Sequence, residues 1–189
     1  VLDRYRSRFR RAGAGLVPEA KTRIAEIAVR LAELGTQFSQ NVLADERNFV
    51  LPLNGEADLA GLPPFLRDAA AEAAKERGGG QSHVITLSRS LIEPFLVFST
   101  RRDLRALAYA AWTRRGENGG ETDNRAIIAE IVRLRAERAR LLGFDSFAHL
   151  KLDDTMAGSP DAAMELLRNV WKPALQRAAT EREGLQALV

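Results

Sequence analysis

The chain has 189 residues, with 28 Lys and Arg against 25 Asp and Glu and no cysteine. That length suits one sizeable domain, and the missing thiols exclude a disulfide framework, a Cys-ligated zinc and a cysteine nucleophile. Cysteine-free composition fits a reducing compartment, so the cytoplasm is the expected location. Apolar runs such as Phe95 to Phe98 fall far short of a membrane span, and no membrane partner is expected. A sequence pI near 9.7 invites a nucleic-acid reading, but the excess is local. Arg4, Arg6, Arg8, Arg10 and Arg11 stand against Asp3 within residues 1–15, a balance of +4, so the remaining residues sum to 3 − 4 = −1. Without a basic stripe, an aromatic platform or zinc-finger spacing, no nucleic-acid partner is expected.

In chain order, Leu2, Tyr5 and Phe9 mark one helical face that runs into an Arg cluster and stops at Gly13 and Gly15. Residues 1–15 therefore read as the tail of a truncated helix. Pro18 opens a long amphipathic helix to about Ala44, with Ile24, Ile27, Leu31, Leu34, Phe38 and Val42 at alternating three and four spacing. Asn48 to Leu53 alternates weakly around Pro52, which permits only an edge strand or an extended segment. Leu62-Pro63-Pro64 starts a helix closed at Gly78-Gly79-Gly80, and His83 to Leu87 is the best strand, able to pair with the Phe49 segment. A short helical turn is expected around Pro94, followed by a helix capped by Ser99 or Thr100 and carrying Leu104, Leu107, Ala108, Ala111 and Trp112. The glycine-rich loop Arg115 to Asp123 leads into a further long helix with Ile127, Ile131, Leu134 and Leu141, stopped at Gly143. Ser159 and Pro160 begin the last helix, which Pro173 should kink. The fold class is mainly α, with long antiparallel amphipathic helices and a small two-stranded β element.

Chemistry-bearing patterns are sparse. The two histidines, His83 and His149, form no H-E-x-x-H pair. Asp145, His149 and Asp153 would share a helical face, yet ligand sets usually converge from several elements, and Asp145 after Gly143 reads more simply as a helix cap. Gly78 to Gly80 leads into a strand, where a phosphate loop needs a helix N-terminus. Glu72 and Glu76 sit beside Lys75 and Arg77 as a solvated face. No Ser/His/Asp set can be nominated. The residues give no catalytic group, no metal ligand and no identifiable substrate-binding residue, and no cofactor site within the chain.

Four strings supply more. Leu31 to Leu43, Asp58-Leu-Ala-Gly-Leu-Pro63, Arg115 to Arg125 and Leu134 to Phe144 together resemble the zinc metallo-oligopeptidases of the thimet oligopeptidase class, and within it the bacterial peptidyl-dipeptidase and oligopeptidase branch. The resemblance covers most of residues 16–189. It implies a large, nearly all-α, two-lobed neurolysin-like fold around a channel that admits short peptides. Zinc would be held by the two His of H-E-x-x-H and a Glu from a following helix, with the motif Glu as general base. None of those residues can be carried over, because His83 precedes Val-Ile-Thr-Leu and His149 precedes Leu-Lys-Leu.

Residues 1–189 are thus expected to be a single helical, channel-forming, non-catalytic segment of a longer zinc peptidase, inactive alone; the abrupt helical ends point the same way. Short peptides are the parent's expected partners, and the segment should self-associate through surface that a missing lobe would cover. Two alternatives are a stand-alone helical interaction module and the scaffold of a catalytically dead paralogue. The Gly116 to Thr122 loop is the one candidate for an ordered channel or interlobe feature.

Overall fold

The computed structural model describes residues 2–188. Helix α1 (Leu2–Arg11) carries Asp3 in its first turn and Arg8, Arg10 and Arg11 in its last, matching the helix dipole. Helix α2 (Pro18–Asn48) extends one turn beyond the expected end at Ala44. Strands β1 (Leu51–Leu53) and β2 (His83–Ile85) pair antiparallel, with Leu51 opposite Ile85, Pro52 opposite Val84 and Leu53 opposite His83. A two-stranded ladder has only edge strands, where a proline is tolerated. Between them lies α3 (Pro64–Arg77), started by a first-turn proline and ended by Gly78 at φ 65° with its N–H on the Ala74 and Lys75 carbonyls.

Helix α4 (Arg89–Phe98) is a full ten-residue helix where only a short turn around Pro94 was expected. Pro94 is the sixth of its ten residues and removes one helical donor, but the buried Leu91, Ile92 and Phe95 hold the helix in place. Helix α5 (Arg102–Thr113) corrects a second expectation, because neither Ser99 nor Thr100 caps it: Arg101 stands at the N-cap, and its side chain makes no capping bond. Ser99 Oγ instead accepts from the Arg101 N–H at 3.2 Å, while the Thr100 N–H and hydroxyl donate to the Ala60 carbonyl at 3.1 and 3.2 Å. A 3-10 turn (Gly120–Thr122) then leads into α6 (Arg125–Leu141). Helix α7 (Phe147–Leu152) is followed by α8 (Pro160–Gln186), where Ser159 Oγ caps the Ala162 N–H as the Ser-Pro pair predicts, and Pro173 lies inside an unbroken helix.

The chain divides into two compact units, one being Leu31–Glu130 and the other the flanking residues up to Arg30 and from Ile131. The first is built around Leu53, Leu66, Ile85, Ile92 and Phe95, all essentially inaccessible to solvent. Gly61 (φ +84) belongs to this core's frame, since a Cβ there would lie 2.3 Å from the Phe98 carbonyl oxygen. Asp58 beside it accepts from the Asn54 N–H at 2.7 Å and pairs with Arg101. In the second unit Ile24, Ile27, Leu134, Ala139 and Leu150 are buried, and Arg23 grips Glu137 with two nitrogens at 2.6 and 3.1 Å. Helix α8 touches α7, yet none of its residues is buried. Among the described residues no helix is long and apolar enough to cross a membrane.

Candidate functional site

The glycine-rich loop after α5 is the most heavily organised polar feature of the Leu31–Glu130 unit. Its anchor is Asp45, in the last turns of α2. The Gly116 N–H and the Thr122 hydroxyl each donate to the Asp45 carboxylate at 2.7 Å, on different oxygens, and the Asn118 amide adds a third bond at 3.0 Å. Partial burial pushes the Asp45 carboxyl up, but the bonds from Gly116, Thr122 and Asn118 outweigh it and hold the group below its ordinary value.

Asn124 closes the other side. Almost fully buried, it donates through Nδ2 to the Phe38 carbonyl at 3.1 Å, accepts at Oδ1 from Asn41 at 2.9 Å, and its N–H reaches the Gly116 carbonyl at 2.7 Å. Gly116 is required twice over: its φ is +77°, and a Cβ would lie 2.8 Å from Asn124 Nδ2. Arg115 stacks 3.8 Å above the Trp112 ring and pairs with Glu46. Asp123 accepts from the Gly119 N–H at 3.1 Å and the Arg125 N–H at 2.9 Å, and the Arg125 guanidinium holds its carboxyl at about 2.

What this arrangement does is hold a backbone in one shape. Asp45 and Asp123 are both engaged by donors and titrate below the range where a general acid or base works near neutrality. The candidate loop is tied down by these hydrogen bonds, and its anchors Asn41, Asp45 and Glu46 were missed. The available signal was a run of polar residues, with Asn41 and Asp45 one turn apart, where the apolar stripe of α2 fades.

The other candidate residues land in structural roles. Asp145, His149 and Asp153 do not share a helical face. Ser146, not Asp145, caps α7, its Oγ accepting from the His149 N–H at 3.3 Å and lying 2.9 Å from His149 Nδ1, while Asp153 ends the helix and pairs with Arg11 at 3.2 Å. Ser wins the cap because its hydroxyl reaches the third amide directly, leaving Asp145 outside the helix. His83 Nδ1 rests 3.2 Å from Ser82 Oγ. Gly78 is the left-handed cap of α3, and Glu72 meets Lys75 at 3.0 Å on an exposed face. Among the described residues no group of three or more His, Asp or Glu could hold a metal ion.

Residues 95–189, which include the loop, match the model of peptidase family M3. The chain belongs to that family. Over its whole length it is 35% identical to the dipeptidyl carboxypeptidase of Salmonella typhimurium and 36% identical to that of Escherichia coli, covering 28% of each relative. It is 36% identical to oligopeptidase A of Salmonella typhimurium over 99% of the chain, again 28% of the relative. The chain thus spans little more than a quarter of the length of these curated relatives.

Proposed function

We propose that the chain is a helical, channel-forming portion of a longer zinc metallopeptidase that hydrolyses short peptides, and that it is inactive alone. The observation that carries this is the whole-chain similarity to M3 peptidases combined with its 28% share of their length. Relatives named as dipeptidyl carboxypeptidase and as oligopeptidase A match equally well, so the proposal extends to short peptides and no finer. Zinc and its general base belong to the parent's remaining sequence; the role of this portion is to shape access to them from the cytoplasm.

The Gly116 to Thr122 loop, locked on Asp45, is the part of this portion built to keep one conformation, as an ordered channel or interlobe element requires. Helix α8 supplies a surface for the rest of the parent. Met164, Leu167, Val170, Trp171 and Leu175 lie along one side of it, and Trp171 keeps 65% of its surface exposed. In the parent that stripe is covered by the remaining chain; alone, the 189-residue chain self-associates through it.

The test is peptide hydrolysis by the purified 189-residue chain with added zinc, scored by mass spectrometry. No cleavage above a heat-treated control is expected. Cleavage that a chelator abolishes would overturn the proposal.

A further inference from the structure

In the unit made of the flanking segments, a small cavity of about 160 Å3 is lined by Arg11 of α1, Arg138 of α6, and Phe147, Leu150 and Lys151 of α7. Three of those five side chains are cationic. Arg11 already has counterions, its guanidinium lying 3.2 Å from Asp153 and 3.1 Å from Asp154. Arg138 and Lys151 have none among the described residues, and Arg138 Nε is buried without a hydrogen-bond partner. Arg135, stacked 5.1 Å from the Phe147 ring centroid, adds a further positive charge nearby. With Asp153 and Asp154 counted, the surroundings remain net positive.

A buried donor without an acceptor is costly, and like charges gathered on one cavity repel. One kind of occupant relieves both: an anion with oxygen acceptors. The volume is that of roughly five water molecules, enough for a small oxyanion with partial hydration. A guanidinium binds such groups through directed, charge-assisted N–H bonds, and an ammonium adds an adjustable point charge. The apolar sides of Phe147 and Leu150 reduce competition from water.

We propose that this cavity is a binding site for a small oxyanion, held by Arg138 with Lys151 and Arg11 supplying charge. The probe is inorganic phosphate, titrated into the 189-residue chain at constant ionic strength and followed by calorimetry and by 31P line broadening, with chloride as the reference anion. Saturable binding at one site is expected, weakened about tenfold by Arg138→Gln and by Lys151→Gln. Lys151 is exposed, so its variant keeps the fold and carries the test if Arg138→Gln does not. A phosphate response no different from that of chloride, or one unchanged by Lys151→Gln, overturns the proposal.

Discussion

Replacing Asp45 by Asn keeps the side-chain shape and removes the charge on which three loop donors converge. One oxygen becomes an amide nitrogen, which must face either the Gly116 N–H or the Thr122 hydroxyl, the donors that now lie 2.7 Å from opposite oxygens. Hydrogen bonds to a charged group contribute about 1.5–3 kcal/mol each when well shielded, and Asp45 is only half-buried, so the combined loss should be about 2 kcal/mol. Urea unfolding followed by circular dichroism at pH 7 should show that loss with an unchanged denaturant slope. Hydrogen exchange should accelerate at the Gly116 amide. The pH dependence has a definite sign. The folded Asp45 carboxyl titrates below its ordinary 3.8, so its stabilisation is complete above about pH 5 and fades as pH falls through 3.8 toward the folded value. The gap between wild type and variant should therefore close in acid. A gap under about 0.5 kcal/mol at neutral pH, or one that does not shrink below pH 4, would refute the assignment of Asp45 as the loop's anchor.

Two further outcomes follow from the packing. Gly61→Ala should destabilise by about 3 kcal/mol or more, because its Cβ would meet the Phe98 carbonyl and it cannot relax from φ +84°; Gly55→Ala, at φ +85° in open space, should cost about 1 kcal/mol, and equal losses in thermal melts would remove the steric explanation. Light scattering should show the 189-residue chain as dimers or larger species, with Leu167→Glu shifting it toward monomer, whereas a strict monomer at high concentration counts against α8 as the associating surface.

Periodicity and punctuation carried most of the secondary structure. Alternating three and four spacing located α2 and α6, and Ser159-Pro160 located the start of α8, because these signals arise within one or two helical turns and need no distant partner. The pairing of β1 with β2 was also legible, from two short apolar runs with turn residues around them. Beside the local choice of Ser146 over Asp145 as the α7 cap, errors came where a distant group decided. Ser99 and Thr100 looked like caps, but the Ala60 carbonyl takes the Thr100 donors; only a short helical turn was expected around Pro94, but burial of Ile92 and Phe95 outweighs one missing hydrogen bond and a ten-residue helix forms.

By itself the amino-acid order determined an α-rich chain, the positions of most of its helices and, through four short strings, its kinship with the M3 peptidases. Tertiary structure alone decided what those residues do together. The loop at 116–124 is held by Asp45 and Asn41, some seventy to eighty positions earlier, which supply its acceptors and donors. Arg11, Arg138 and Lys151 surround one cavity although most of the chain separates the first from the others. Local propensity acts over a few residues, whereas hydrogen-bond satisfaction and charge compensation are settled only when the chain has closed on itself.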